Sequence, residues 1–514
     1  MATTDSSVSK LPLKEIPGDY GLPFFGAMKD RYDFHYNQGT DGFFRSRMKK
    51  YGSTVFRTNV PPGPFNAPNS KVIVLVDAVS YPILFDNSQV DKENRFEGTY
   101  MSSPNFNGGY KVCAFLDTTD PKHSTLKGLI LSTLAKLHDK VIPIFTSSIS
   151  DMVFTNLEKE LSEKGTSSFN PLSDNLSFEF VFRLFCEGKS PIHTSLGTNG
   201  PKTVDKWVFF QLAPLTSLGL KFVPNFLEDL VLHTFPLPYF LVKRDHQKLY
   251  NAFYNSMSPI LDEAEKLGLK RDEACHNFVF LAGFNSYGGL KVFYPSLIKW
   301  IGKAGPSLHT RLVKEIRTAV KEAGGVTVSA LEKMTLVKSV VYETLRMDPP
   351  VAFQCAKARK NIMISNHESS FLIKKDELIF GYQPLATKDP KIFKNAEEFD
   401  ADRFLGDGEK LIKYVYWSNG EETVNPTVND KQCPGKDLIV LLGRLLVVEF
   451  FMRYDTFEIE FEKFLLGSKV TFKSIGSHSF SSASPSVRFL SLRLRDSNSK
   501  PDTSTIHHHP PQPS

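Results

Sequence analysis

The cysteine in the segment NDKQCPGKDL, residues 429–438, lies in the sequence context that points most directly to chemistry. Cys433 precedes a Pro-Gly step and then a long apolar pattern typical of a buried helix. A helix begins with free backbone N–H groups and the positive end of its dipole, and both stabilise a thiolate. A stabilised thiolate is therefore one interpretation of Cys433. An inert buried thiol is the alternative interpretation.

Three charged residues occur in segments that otherwise look buried. Glu343 and Arg346 are three residues apart in VYETLR, on one face of a predicted helix with an apolar pattern. Arg403 follows in KDPKIFKNAEEFDADRF, which is punctuated by proline and mostly irregular. Because an unpaired buried charge costs several kcal/mol, the three side chains are expected to pair with one another. A surface ion pair is the alternative for Glu343 and Arg346.

The elements that carry these residues are mainly helical. Apolar residues recur at helical spacing over 308–325, 331–350 and 436–455, and the last pattern is apolar almost all round. Strand-like runs are short and few, such as 70–78 and the two runs within 371–382. The patterns predict a mainly α fold with small β-sheets and no internal repeat.

Composition limits the class of protein and its organisation. The chain has 514 residues, 41% apolar, with 43 Phe and a net charge of +6. Its basic residues are scattered, so nucleic-acid binding is not indicated. The five cysteines lack CxxC spacing, which argues against both a disulfide framework and a zinc site. We predict a flexible N-terminus over 1–10, one catalytic domain over 11–473, and a disordered Ser/Pro/His-rich tail over 474–514.

The order of these motifs resembles the cytochrome P-450 superfamily of haem-thiolate enzymes. A Glu-x-x-Arg pair, then an Arg-Phe segment, then Cys-x-Gly before a buried helix is a specific succession. The resemblance implies the cytochrome P-450 fold, with haem b (iron protoporphyrin IX) between a distal and a proximal helix. It implies that Cys433 is the iron ligand and that Glu343, Arg346 and Arg403 lock the scaffold below the haem.

Two departures from the superfamily pattern narrow the expected activity. Gly420 and Cys433 are 13 residues apart, where the usual haem loop has four, so the loop carries nine extra residues. The distal segment LAGFNSYGGL has Asn285 and Ser286 where a monooxygenase normally has an acid and a threonine. An amide donates and accepts hydrogen bonds but does not relay protons as an acid does. Activation of dioxygen is therefore not expected.

The longer loop and the Asn-containing distal segment both resemble features of one plant branch of the superfamily. That branch contains allene oxide synthases, hydroperoxide lyases and divinyl ether synthases. The similarity covers about residues 11–473 and is strong to the allene oxide synthases of nightshade plants that prefer 9-hydroperoxides. It implies a hydroperoxide dehydratase, a carbon-oxygen lyase of oxylipin biosynthesis. Such an enzyme converts 9-hydroperoxides of linoleic or linolenic acid to allene oxides without O2 or NADPH. A lyase or divinyl ether synthase is the alternative, and a reductase-dependent monooxygenase or a non-catalytic haem or lipid-binding protein is more remote.

The resemblance also implies roles for individual residues. Asn285, with Ser286 beside it, would orient the hydroperoxide over the iron after Cys433 has bound the haem. Phe96 matches the aromatic residue of the synthases, whose π face near a carbon radical would favour electron transfer over chain cleavage. Phe96 could equally be plain pocket lining, and Asn285 could satisfy helix backbone.

Five further residues are expected around the haem and the substrate. His123 and Lys127 lie at helical spacing, and with Lys431 they would neutralise the two haem carboxylates. A solvated His and Lys is the alternative. Val351 and Phe353 in PPVAFQ are expected to line the acyl pocket.

The expected partners and compartment follow from the same reasoning. A lipoxygenase would supply the fatty acid hydroperoxide, and no reductase would be needed. The N-terminus has no apolar run of signal-peptide or membrane-span length and is too acidic for a transit peptide. We predict a cytoplasmic or plastid-associated protein, with peripheral membrane association through exposed apolar loops left open.

Overall fold

The computed structural model describes residues 11–67, 69–95, 98–463 and 467–476, and these fold mainly into helices. The first half contains α1 Phe25–Tyr32, α2 Gly39–Tyr51, α3 Pro121–Leu137, α4 Val141–Ile149, α5 Thr155–Lys164, α6 Phe169–Phe185, α7 Gly200–Leu212, α8 Asn225–Glu228 and α9 Lys243–Tyr254. The second half contains α10 Ser258–Lys266, α11 Arg271–Val279, α12 Gly288–Ala304, α13 Pro306–Ala323, α14 Val328–Glu332, α15 Thr335–Met347, α16 Gln383–Ala386 and α17 Lys436–Arg453.

The strands form three small sheets. They are β1 Val55–Asn59, β2 Lys71–Leu75, β3 Val90–Asp91, β4 Ser167–Ser168, β5 Phe353–Ala358, β6 Ile362–Ser365, β7 Ser370–Ile373, β8 Leu378–Tyr382, β9 Thr456–Lys463 and β10 Ser468–Gly476. The largest sheet has the order β1-β2-β8-β5-β3, in which only β2 and β8 pair in parallel. The others are β4-β10-β9 and the hairpin β6-β7.

A helical run of three successive segments extends from Arg271 to Ala304. It consists of α11, a π-helical segment Phe280–Tyr287, and α12, without an intervening loop. We call this run the distal helix. A π-helical turn holds one more residue than an α-turn and is frequent at functional sites. The segment that the sequence singled out, LAGFNSYGGL, therefore coincides with the irregular part of the helix.

The sequence patterns located most of the elements that matter here. The pattern over 308–325 corresponds to α13, and the pattern over 436–455 to α17. The pattern over 331–350 begins in the short α14 and continues, after a turn at Met334, in α15. The runs at 70–78 and 371–382 contain β2, β7 and β8. The predicted mainly α fold with small sheets is confirmed.

The main apolar core surrounds the distal helix and α17. Residues of α17 are buried on most sides, among them Val440, Leu445, Val448 and Phe451. The last described strand continues to Gly476, while 1–10 and 477–514 lie outside the described residues, so the predicted domain limits stay predictions. Within the described residues, no helix is both long enough and apolar enough to cross a membrane.

Candidate active site

A cavity lies between the distal helix and the start of α17. Helices α3 and α6 close it from the side with Ile130, Leu134, Val181 and Leu184. Its polar and charged lining residues are Lys92, Arg95, His123, Lys127, Asn277, Asn285, Ser286, Gln354, Ser418, Asn419, Lys431 and Gln432. None of the described residues around it is Asp or Glu. The cavity is therefore an apolar space with a cationic and amide lining.

Cys433 lines this cavity immediately before α17. Its backbone N–H donates to the carbonyl of Ser418 at 2.8 Å, which fixes the cysteine against the loop that precedes it. Burial raises the pKa of the Cys433 thiol to about 11, and the backbone hydrogen bond from Gly435 acts in the opposite direction. A metal ion would reverse this balance, because a coordinating thiol loses its proton outright.

The three predicted scaffold charges form one buried cluster. Arg346 donates to both Glu343 oxygens at 2.7 and 2.8 Å, and Arg403 Nε donates to the same carboxylate at 2.9 and 3.0 Å. The remaining guanidinium N–H groups donate to backbone carbonyls, such as those of Ala396 and Glu398. The side chains of Glu343 and Arg346 are completely buried. The cluster ties α15 to the irregular segment 394–403.

The predicted cationic residues gather at one edge of the cavity. His123 and Lys127 are buried one turn apart on α3, and Lys431 faces them from the loop before Cys433. Lys431 Nζ donates to the carbonyls of Cys113, Ala114 and Leu116 at 2.8 to 3.1 Å, while Lys127 Nζ donates to Asp430. Burial and the neighbouring lysines lower the pKa of His123 to about 4, and its Nδ1 is buried without a partner.

Sequence reasoning missed two further cations at this edge, Lys92 and Arg95. Lys92 is 2% exposed and donates to the amide oxygens of Gln354 and Asn419. Burial, and then the charge of Lys431, lowers its pKa to about 7. Nothing in the local pattern distinguishes Lys92 from a solvated lysine, because its burial arises from strand pairing between β3 and β5.

These residues fit a haem. A haem is an apolar macrocycle with iron at its centre and two carboxylates at one edge. The cavity offers a thiol from Cys433, apolar walls, and an edge where buried cations crowd one another and an imidazole nitrogen lacks a partner. Crowded buried cations call for an anionic partner. The haem carboxylates would lie at this edge, against His123, Lys127 and Lys431, with Lys92 and Arg95 beside them.

The distal wall of the cavity is formed by the π-helical segment. Asn285 and Ser286 both line the cavity and are half-buried. Gly289, one turn further, also lines it, and a Cβ at Gly289 would meet only open space. A larger residue there would project into the cavity. The wide turn thus presents an amide and a hydroxyl next to an open space.

The remaining predicted residues differ in their positions. Val351 lines the cavity, as expected of an acyl-pocket residue. Phe353 is absent from the described lining and packs instead against Phe34, Phe380 and Tyr382, with ring centroids 5.4 to 6.1 Å away. Phe353 points away because successive side chains of β5 alternate, and its neighbour Gln354 is the one that lines the cavity. Phe96 lies outside the described residues.

The extended loop before Cys433 supplies a buried carboxyl. Glu422 is 4% exposed and accepts from Ser418 Oγ, and its backbone carbonyl accepts from Lys436 Nζ at 2.9 Å. Gln432 Nε2 donates to Ser418 Oγ at 3.2 Å and to the carbonyl of Glu421 at 2.8 Å. The loop therefore folds back onto the residues that hold Cys433.

Comparison with known proteins gives close relatives along nearly the whole chain. The family model described as Cytochrome P450 matches residues 304–418. Allene oxide synthase 3 of Solanum lycopersicum is 84% identical over 475 residues, which are 92% of this chain and 96% of that protein. The 9-divinyl ether synthase of Capsicum annuum is 52% identical over 471 residues, 91% of this chain and 98% of that protein.

A solved structure shares the fold at low sequence identity. Retinoic acid bound cyanobacterial CYP120A1 matches with a TM-score of 0.60 and 16% identity, over 88% of this chain and 94% of that one. The fold therefore agrees with that of the family, and the sequence identity to the plant relatives places the chain within it. The chain belongs to the cytochrome P450 family, in the branch that includes the plant allene oxide synthases and divinyl ether synthases.

Proposed function

We propose that the protein is an allene oxide synthase, a hydroperoxide dehydratase that converts fatty acid hydroperoxides to allene oxides without O2 or NADPH. The observation that carries the proposal is the composition of the cavity opposite Cys433. An amide, Asn285, and a hydroxyl, Ser286, stand on the distal wall, and the described lining has no carboxylate. Such a wall can bind and orient an existing O–O bond. The identity of 84% to a synthase supports the same reaction.

Each part of the cavity has a role in this reaction. The apolar walls formed by α3 and α6 would take the acyl chain. Asn285 would donate to the hydroperoxide oxygen and hold it against the iron, an interaction of about 1–3 kcal/mol if its loss leaves a buried polar group unpaired. Gly289 would keep the space beside it open. Ser286 would provide a second hydrogen bond on the same wall.

The cofactor in this proposal is haem b, bound through Cys433. When bound, haem supplies homolytic cleavage of the hydroperoxide O–O bond. The protein contributes the thiolate, the cationic edge around His123, Lys127 and Lys431, and the rigid support beneath. Glu343, Arg346 and Arg403 hold the segment that leads into the loop before Cys433.

The nature of the product is the finer part of the proposal. We favour the allene oxide, with Phe96 directing the carbon radical toward electron loss, and a preference for 9-hydroperoxides of linoleic or linolenic acid. The serious alternatives are a divinyl ether synthase, since a relative of that activity is 52% identical, and a hydroperoxide lyase. A lipoxygenase would supply the substrate.

The test is anaerobic incubation of the haem-loaded protein, without NADPH, with 9- and 13-hydroperoxides of linoleic acid in separate reactions. Ketols formed by hydrolysis of an allene oxide are the expected products, from the 9-hydroperoxide above all. Short-chain aldehydes or divinyl ethers would replace the synthase assignment by one of the alternatives. Turnover that requires NADPH and O2 would overturn the proposal as a whole.

We also propose peripheral association with a membrane, from the cytoplasmic side or at a plastid. Exposed aromatic residues lie next to one another, with Phe24 5.7 Å from both Phe25 and Phe65, and Phe65 5.8 Å from Phe235. The nearby segment 218–241 exposes further apolar side chains, and Phe222 is 99% exposed. A contiguous apolar surface of this kind usually marks an interaction site. Lipid is the source of the substrate, which favours a bilayer as the partner.

A further inference from the structure

The π-helical segment that carries Asn285 needs support from outside the helix. A π-turn is wider and less favourable than an α-turn, so tertiary contacts must hold it. The cavity side cannot do this, because Asn285, Ser286 and Gly289 face open space there. The support must come from the opposite side of the distal helix.

On that opposite side, two residues one turn apart bind carboxylates on neighbouring helices. Tyr287, at the end of the π segment, donates its hydroxyl to Asp205 Oδ1 of α7 at 3.0 Å. Lys291 Nζ donates to Asp205 Oδ2 at 3.1 Å and to Asp174 Oδ2 of α6 at 2.5 Å. Tyr287 is 1% exposed, and its ring packs edge-on against Phe178 of α6. We call these four polar residues, Asp174, Asp205, Tyr287 and Lys291, the clamp.

Helix α7 touches the π segment at a second place. A Cβ at Gly283 would lie 3.2 Å from Trp207 and 3.3 Å from Val204, so a larger residue would push α7 away by a few tenths of an ångström. Trp207 in turn donates its indole N–H to the carbonyl of Phe106 at 3.0 Å, which fixes its ring. The π segment is therefore held by Trp207 near its middle and by Asp205 at its end. Asn285 lies between these two contacts.

We propose that the clamp is a positioning device for the reaction, in which the Tyr287 hydroxyl bound to Asp205 sets the angle at which Asn285 meets the hydroperoxide. This inference rests on the proposed role of Asn285. Tyr287 is not among the residues that line the cavity, so it acts through the geometry of the wide turn. Loss of its hydroxyl frees the end of the turn and lets the Asn285 amide rotate away. An error of about 1 Å in such a contact can cost about a hundredfold in rate.

The experiment compares Tyr287→Phe with Tyr294→Phe in the haem-loaded protein. Tyr294 is a suitable control because it lies two turns further on the same helix, is completely buried, and has a hydroxyl without a partner. We expect Tyr287→Phe to lower kcat at least tenfold on the 9-hydroperoxide of linoleic acid, and Tyr294→Phe to change it less than twofold. Equal kcat values in the wild type and Tyr287→Phe would overturn the inference.

A second measurement separates positioning from general loosening. Optical titration with 9-hydroxy-linoleic acid, an unreactive analogue, should give a dissociation constant at least threefold higher in Tyr287→Phe than in the wild type. Titration with imidazole, which binds iron without needing Asn285, should give unchanged affinity. Equal weakening for both ligands would overturn the inference. If the wild type bound the analogue but did not turn over hydroperoxides, the proposed function would fail while the titration still tested the clamp.

A double-mutant cycle tests whether Tyr287 acts through Asn285. In an Asn285→Ala background, Tyr287→Phe should have little further effect on kcat or on analogue binding, since coupled residues are not additive. Full additivity of the two changes would overturn the inference. Asp205→Ala covers the case in which Tyr287→Phe folds poorly, because it removes the acceptor of the Tyr287 hydroxyl and leaves the tyrosine itself unchanged. We expect Asp205→Ala to lower kcat at least fivefold, and a wild-type kcat in this variant would overturn the inference.

Discussion

At the scale of single residues, the cavity contains two thiols, and only one of them is placed as a ligand. Cys433 stands at the N-terminus of α17 with its backbone fixed by Ser418. Cys113 also lines the cavity, but its sulfur donates to the carbonyl of His123 at 3.8 Å. The helix N-terminus favours a thiolate at Cys433 and offers nothing comparable at Cys113.

This difference predicts the outcome of two matched substitutions. Cys433→Ser should abolish the thiolate signature in the spectrum of the reduced carbonyl complex and reduce turnover of hydroperoxides at least a hundredfold. Cys113→Ser should keep both, because it removes a thiol of the same cavity without touching the ligand. The measurement is the optical spectrum together with haem content per chain. If Cys433→Ser kept the thiolate spectrum, Cys433 would not be the iron ligand.

At the scale of elements, the buried cluster around Glu343 predicts a large loss of stability when its carboxylate is neutralised. Glu343→Gln keeps the shape but leaves Arg346 and Arg403 as buried cations without a counter-charge. Removal of one partner of a buried pair costs about 3–5 kcal/mol. We expect a decrease of this size in the free energy of unfolding, measured by denaturant titration.

The control for this change is Glu409→Gln. Glu409 is 59% exposed and pairs with Lys338, which lies on α15 and is also at the surface. An exposed pair contributes about 0–1 kcal/mol, so its loss should be close to undetectable. Similar unfolding free energies for Glu343→Gln and Glu409→Gln would mean that the cluster does not stabilise α15 against the segment 394–403.

The loop before Cys433 predicts a dependence of stability on pH. Burial raises the pKa of Glu422 from its ordinary value of 4.5 to about 7 in the folded chain. The folded state therefore binds more protons than the unfolded state between these values, and stability falls as pH rises from about 4.5 to 7. Above pH 7 the charged carboxyl costs at most about 3 kcal/mol.

Glu422→Gln should remove this component. The variant is expected to gain stability over the wild type at pH 8 and to show little difference at pH 4.5, in denaturant titrations at both values. The same difference at the two pH values would show that Glu422 does not titrate in this window. Glu409→Gln serves again as the control, since Glu409 is exposed.

The same elements show which features the sequence could predict. Cys433 was predictable because it precedes a helix start, and Glu343 and Arg346 because they are charges inside an apolar helical pattern. Arg403 was predictable from the order of the motifs, because it precedes a phenylalanine after an irregular, proline-containing segment. Lys92 and Arg95 were not, because their positions at the cavity depend on β3 pairing with β5, a contact over more than 250 residues. Phe353 was expected in the pocket, yet the side-chain alternation of β5 turns it toward Phe34 and Tyr382. The π-helical form of 280–287 also left no sign in the spacing of residues.

At the scale of the whole molecule, the exposed apolar residues belong to two segments, around α1 and around residues 218–241, that are joined by buried contacts. Arg31 of α1 is completely buried and donates to Asp229 Oδ1 at 3.0 Å and to the carbonyl of His233 at 3.0 Å. The ring of His233 stacks on His35, with centroids 4.0 Å apart. These contacts join the N-terminal segment to residues 229–233. The exposed apolar side chains of both segments therefore lie above a set of buried contacts that holds the two segments together.

This arrangement predicts binding to vesicles through a defined face. Phe222 and Phe226, which are 99% and 67% exposed, should enter the interfacial region of a bilayer, and the exposed Lys221 beside them should favour anionic lipid. The double substitution Phe222→Ser and Phe226→Ser should lower partitioning into vesicles of phosphatidylcholine with phosphatidylglycerol at least fivefold in a sedimentation assay. Met363→Ser is the control, because Met363 is 55% exposed on the hairpin β6-β7. If both variants partitioned alike, the apolar face would not be the surface that meets the lipid. Unchanged hydroperoxide turnover in detergent-free buffer would accompany the expected result, since neither phenylalanine lines the cavity.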